Sequence, residues 1–101
     1  MATNSVASIV LPYRNSVRTL ERCLVSIIGQ TFRNWELIAV NDCSKDNSLQ
    51  VLESFQKVDN RIKSFNSPGK GIVDALNFGI SSAKSEIIIR MDSDDEMQPD
   101  R

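Results

Sequence analysis

Ile87-Ile88-Ile89-Arg90-Met91-Asp92-Ser93-Asp94-Asp95-Glu96 reads as a buried β-strand that runs straight into four acids in five positions. A strand of apolar residues without polar alternation is expected where helices cover both faces of a parallel sheet. Carboxylates crowded at its carboxyl end repel one another unless a cation sits among them, so the segment predicts a divalent metal bound through Asp92 and Asp94 by hard oxygen. Because Asp92 and Asp94 are two apart, both reach one ligand only if the chain turns between them. The competing reading is a solvated acidic turn.

Working back from that strand, the chain alternates. Residues 7–12 form a short apolar strand that Pro12 is expected to end. Ser16 is a candidate N-cap for a helix carrying Val17, Leu20, Leu24, Ile27 and Ile28 up to Gly29. Residues 35–40 form a second apolar strand leading into Asn41-Asp42-Cys43-Ser44-Lys45-Asp46-Asn47, where Asp46 can cap a helix with Leu49, Leu52, Phe55 and Val58 on one stripe. Arg61 to Phe65 alternates polar with apolar residues, which suits an exposed edge strand. After the Ser67-Pro68-Gly69-Lys70-Gly71 loop, Ile72, Ala75, Leu76, Gly79, Ile80 and Ala83 share a helix face, and residues 86–91 close the pattern. Four strands alternating with three helices predict an α/β domain with a mainly parallel sheet and right-handed crossovers. Ligands then collect outside the carboxyl ends of the strands, where residues 12–15, 41–46 and 92–96 share one rim.

Several function classes are excluded. At 101 residues the chain makes one small domain. A net charge of -1 with scattered basic residues gives no stripe for nucleic acid. Histidine is absent, which removes most zinc sites and any histidine base; Cys23 and Cys43, without a signal pattern, read as free thiols. No apolar run approaches the ~20 residues of a membrane span. The acidic segment has a strand where an EF-hand has a helix and Met97 where it has glycine, and Gly69-Lys70-Gly71 is neither a dinucleotide fingerprint nor a Gly-Lys-Ser/Thr phosphate loop. Asp42 could accept hydrogen bonds from a base or ribose, or simply belong to a polar turn with Asn41 and Ser44.

Read together, Ser8-Ile-Val-Leu-Pro-Tyr-Arg-Asn15, Cys23-Leu-Val-Ser-Ile-Ile-Gly-Gln-Thr-Phe32, Trp35-Glu-Leu-Ile-Ala-Val-Asn-Asp-Cys-Ser44 and Met91-Asp-Ser-Asp-Asp95 resemble the N-terminal half of the inverting glycosyltransferases of family 2. Four ordered motifs over nearly the whole chain make the resemblance specific. It implies a GT-A fold of which this chain is the Rossmann-like half, and a sugar transferred with inversion from a nucleoside-diphosphate sugar, expected to be a UDP-sugar, to an acceptor hydroxyl. Pro12, Tyr13 and Asn15 would border the nucleotide, with the Tyr13 ring near the base, and Asp42 would bind that base. Asp92-Ser93-Asp94 would be the Asp-x-Asp motif, Asp92 near ribose and metal and Asp94 coordinating Mn²⁺ or Mg²⁺. Gly71 and Asn77 would line the donor pocket.

The chain departs from the family's commonest pattern in places. Cys43 stands where glycine is usual, so that turn must avoid positive φ or accept strain. Leu76 replaces an arginine, and Lys70 an asparagine or glycine. In the family the acceptor-binding half follows the acidic motif and supplies the catalytic base. Residues 1–101 therefore read as a donor-binding part whose acceptor half is missing, inactive by itself, with no base assigned. The resemblance further implies a saccharide or lipid-linked acceptor, a role in cell-surface polysaccharide or lipopolysaccharide synthesis, and a cytoplasmic location at the inner membrane face. A non-catalytic nucleotide- or metal-binding module, or a receiver-like domain, is the alternative, although a receiver places its acids after different strands. An exposed final strand would leave self-association open.

Overall fold

The computed structural model describes residues 7–30, 34–85 and 87–93. In chain order these form β1 (Ala7–Tyr13), α1 (Val17–Ile28), β2 (Trp35–Asn41), α2 (Ser48–Gln56), β3 (Ile62–Asn66), α3 (Ile72–Ser82) and β4 (Ile87–Arg90). The strands make one parallel sheet in the order β3-β2-β1-β4. That is the order of half a Rossmann fold, whereas a receiver places β3 beside β1, so the receiver alternative fails. The order reverses between β1 and β4, which opens a crevice at their carboxyl ends.

Strand alternation sends Ile9, Leu11 and Tyr13 to one face, where they pack with Leu37, Ala39 and the buried stripe Leu20, Cys23, Leu24 and Ile27 of α1 and Leu52 of α2. Val10, Ile38 and Val40 face the other way, against Ala75 of α3, with Phe65, Leu76 and Phe78 at the margin. Gly79 lets α3 come close: a Cβ there would lie 2.5 Å from Val10 Cγ1 and 3.2 Å from Val40 Cγ2.

Pro12 does not end β1; the strand runs on through it to Tyr13. Tyr13 O accepts from Asp42 N on β2's side, so the even-numbered residues face β4, whose last backbone bond to β1 is Met91 N to Val10 O. The missing N–H of Pro12 points to where β4 has already left the ladder.

The other differences also have local causes. The final strand is an edge here, with Ile87 54% and Ile88 40% exposed and only Ile89 packed on the core. On α3, Ile72, Val73 and Ile80 are exposed while Ala75 and Gly79 are buried, because the helix docks through its smallest residues. Asn47, not Asp46, occupies the N-cap of α2, yet the Asp46 carboxylate still accepts from Ser48 N. The β3 edge and the free thiols Cys23 and Cys43 are as expected. Among the described residues no helix is long and apolar enough to cross a membrane.

At the opposite end of the sheet lies a polar cluster that the patterning did not announce. Glu36 and Ser8, both buried, pair across β1 and β2 through Ser8 Oγ and Glu36 Oε2. Glu36 Oε2 also accepts from Lys84 N at 2.8 Å, and Ser8 Oγ accepts from Ser85 N at 3.2 Å, which clamps the segment leading into β4.

Candidate nucleotide-binding cleft

Three strand ends meet at the carboxyl rim, and side chains of the loops lace them together. Asn15 Oδ1 accepts from Lys45 N at 2.7 Å, Ser44 Oγ accepts from Asn15 N at 3.0 Å, and Ser48 Oγ accepts from Ser16 N at 2.7 Å. Asp46 joins the starts of two helices, its Oδ1 accepting from Ser48 N and Oγ and its Oδ2 from Val17 N. Ser16 stands at the N-cap of α1, as the sequence predicts, but its hydroxyl makes no cap bond. It donates to Arg14 O at 3.0 Å and lies 2.6 Å from Ser93 Oγ, which ties the acidic turn to the first helix. Cys23 Sγ points at Asp92 O from beneath.

Between these loops lies a cleft of about 790 Å³ lined by Pro12 through Thr19, Asp42, Asp46, Gly71, Ile72, Arg90, Asp92 and Ser93. Asp42 is 5% exposed and reaches across to α3, its Oδ1 accepting from Gly71 N at 3.0 Å. Gly71 has φ +94°, a conformation that suits glycine and presents this N–H, and the carboxylate complements the positive end of α3. Oδ2 of Asp42 has no hydrogen-bond partner among the described residues and is left to the cleft.

Of the site residues expected from sequence, the cleft gathers Pro12, Tyr13, Asn15, Asp42, Gly71, Asp92 and Ser93. Asn77 is not brought there; it sits further along α3, in a separate depression with Pro68, Asp74 and Ser81. Asp94 lies outside the described residues, and among those described no three Asp, Glu, Cys or His side chains converge. The Tyr13 ring is not at the cleft surface as expected but in the core, because strand alternation turns it toward α1 and α2. Burial, with Glu53 adding in the same direction, pushes its phenol well above the ordinary value of 10.0, and it stays protonated. The same alternation points Arg14 outward. Arg14, Arg18 and Arg90 all line the cleft, and none was singled out from sequence, although the alternation Tyr13-in, Arg14-out was available.

Cys43 takes the strained option, at φ +58°. Since a left-handed conformation costs a residue with a Cβ roughly 1–2 kcal/mol, part of which glycine returns through its freer unfolded chain, Cys43→Gly is expected to stabilise the domain by about 0.5–1 kcal/mol in urea unfolding. Asn15 is also left-handed, at φ +49°, a conformation that asparagine tolerates better than most side chains.

The hydrogen bond from Ser48 holds the Asp46 carboxyl below its ordinary 3.8, and that from Arg61 does the same for Asp59. A lowered folded-state pKa contributes stability that is complete above the unfolded value and lost as pH falls through the folded one. The melting temperature should therefore be insensitive to these two groups above about pH 5 and drop below about pH 4, more shallowly in Asp46→Asn.

Comparison with known proteins agrees with this architecture. A family model described as glycosyl transferase family 2 matches residues 8–101. The glycosyltransferase GlyG of Streptococcus pneumoniae is 40% identical over 93 residues, 91% of this chain and 31% of its own length. Among solved structures, S. aureus TarS in complex with UDP superposes with a TM-score of 0.85 at 28% identity over 93% of this chain and 29% of that one. TarS in complex with UDP-GlcNAc gives a TM-score of 0.74 at 31% identity over 87% of this chain and 26% of that one. The chain thus spans less than a third of each of these proteins.

Proposed function

Because the chain belongs to the family 2 glycosyltransferases, we propose that residues 1–101 are the donor-binding part of an enzyme that transfers a sugar, with inversion, from a UDP-sugar to an acceptor hydroxyl. The observation that carries this reading is the buried Asp42 carboxylate, which offers one oxygen to a cleft that Asp92 and Ser93 also line. A uracil ring presents an N–H that such an oxygen can accept, a charge-assisted contact stronger than a neutral one. The UDP and UDP-GlcNAc complexes of TarS support the choice of donor.

The described part of the acidic turn fits a divalent cation in so far as Asp92 puts a half-exposed carboxylate on the cleft wall. Mn²⁺ or Mg²⁺ would be held there by Asp92 together with Asp94. When bound, the ion supplies Lewis-acid neutralisation of the leaving diphosphate. The chain's own residues bind and orient: Asp42 holds the base, the Asn15–Lys45 and Ser16–Ser93 ties keep the loops in register, and the apolar core beneath fixes them. The carboxylates of the described cleft have other roles on this reading, since Asp46 is saturated, Asp42 is committed to Gly71 and the base, and Asp92 is given to the metal. The described cleft thus serves to bind donor, and the base that takes the acceptor proton is not among its described side chains. The acceptor is a saccharide or a lipid-linked saccharide of cell-surface polysaccharide synthesis, and cytosolic donor supply places the reaction on the cytoplasmic side.

The test is a calorimetric titration of the chain with UDP in Mn²⁺ and in EDTA, repeated with Asp94→Ala. Saturable binding that Mn²⁺ strengthens, with the strengthening lost in the variant, is the expected result. A folded chain that ignores UDP under both conditions refutes the reading.

A further inference from the structure

Among the described residues the charges around the cleft do not balance. Asp46 spends both oxygens on backbone and hydroxyl donors, and Asp42 spends Oδ1 on Gly71 N. Asp92 Oδ1 lies 3.6 Å from Arg90 Nη2, in a pair about half exposed and so weakly held. Arg14 and Arg18 also line the cleft, yet among the described residues neither takes part in an ion pair. Two guanidinium groups thus stand in the cleft lining with no acid among the described residues to answer them.

Their position is specific. Arg14 leaves the end of β1 and Arg18 lies in the first turn of α1, with Ser16 between them bonded to Arg14 O and to Ser93 Oγ. The Ser16–Ser93 contact brings this wall up against the acidic turn, in the same cleft as Asp42 and Gly71 at the start of α3. A ligand whose base lies at Asp42 would extend its phosphates along that wall. Guanidinium groups recognise phosphate oxygens through paired, charge-assisted hydrogen bonds, and the positive end of α1 adds in the same direction.

We propose that Arg14 and Arg18 form a diphosphate-binding pair that engages the donor's phosphates without a metal. This rests on the nucleotide-sugar reading for the identity of the ligand, but not for the existence of the anion site. It makes the two arginines binding residues for the leaving group and gives the cleft an affinity for diphosphate that survives chelation.

The test uses inorganic pyrophosphate, UDP and uridine in EDTA, followed by amide NMR on the wild-type chain, Arg14→Ala/Arg18→Ala and Arg14→Lys/Arg18→Lys. Both arginines are exposed, so the variants should fold, and a thermal melt checks it. Pyrophosphate is expected to shift the amides of residues 14–19 saturably, with affinity falling roughly tenfold for each guanidinium removed and only partly so in the lysine variant. Pyrophosphate or UDP binding that is unchanged in the double alanine variant, or absent from the wild type, overturns the pair. If pyrophosphate binds through the arginines while UDP binds no better and uridine not at all, the pair stands and the nucleotide-sugar reading falls. If UDP binds equally well without the arginines, the nucleotide reading stands and the pair falls.

Discussion

Glu36→Ala is expected to cost the chain about 3 kcal/mol, a large share of the roughly 5–15 kcal/mol that holds a domain of this size together. The substitution removes the acceptor of two donors, the Ser8 hydroxyl and Lys84 N–H, in a place where Glu36 and Ser8 are both almost fully buried. A buried donor left without a partner loses its hydration and gains nothing in return. Lys63 Nζ, 3.9 Å from Glu36 Oε1, loses its counter-charge as well, a smaller effect because that lysine is more exposed. The clamp also fixes Lys84 and Ser85, immediately before β4, so its loss should free β4 first. Urea unfolding measures the total, and hydrogen exchange at the β4 amides measures the local part. Glu36→Gln keeps an acceptor oxygen and should cost about 1 kcal/mol. A Glu36→Ala chain within about 0.5 kcal/mol of wild type would show that the cluster contributes no net stability.

Asp42→Asn is expected to weaken UDP binding roughly tenfold to a hundredfold while leaving the fold nearly intact. Asparagine retains an acceptor oxygen for Gly71 N, so the bond from the β2 loop to α3 survives. What disappears is the negative charge, whose loss at the positive end of α3 costs about 0.3–1 kcal/mol of stability. With its single oxygen kept on Gly71 N, the asparagine turns its amide NH2 to the base, and a donor there cannot accept the base N–H. Asp42→Ala should lose the same affinity and additionally loosen the start of α3. The comparison separates binding from support: calorimetry with UDP reads the first, and thermal melting the second. Equal UDP affinity in wild type and Asp42→Asn would mean that the base does not sit at Asp42.

Most of the fold was legible because strands and helices bury their faces with different periods. Leu20, Leu24 and Ile27 recur at helical spacing and are the buried stripe of α1, and the run 35–40, apolar but for Glu36, is the central strand β2. The same reading erred where periodicity says nothing about neighbours. Ile87-Ile88-Ile89 is apolar enough for a central strand, but position in the sheet, not composition, makes β4 an edge. On α3 the sequence offers a broad apolar face, and the close approach at Gly79 selects which part of it touches the sheet. Pro12 looked like a stop because a proline lacks a donor, and it is tolerated because that donor would have had no strand to meet.

For the cleft, chain order brought residues 12–15, 41–46 and 92–96 to one rim, since topology alone gathers the strand ends of a parallel sheet, and the family resemblance picked out Pro12, Asn15, Asp42, Gly71, Asp92 and Ser93. By itself, then, the sequence determined the alternation of elements, the parallel sheet and the end of it where the cleft lies, all of which follow from hydrophobic period and chain order. Only the tertiary structure decided that Tyr13 supports the site from the core while Arg14 and Arg18 face it, that Ser16 bonds to Ser93 and not to its own helix, and that Glu36 locks the far end. These are contacts between residues 28 to 77 positions apart, and the rim ties such as Asn15–Lys45 span 30. A one-dimensional pattern carries no record of such pairings, because hydrogen bonds and ion pairs depend on distances that exist only once the strands are side by side.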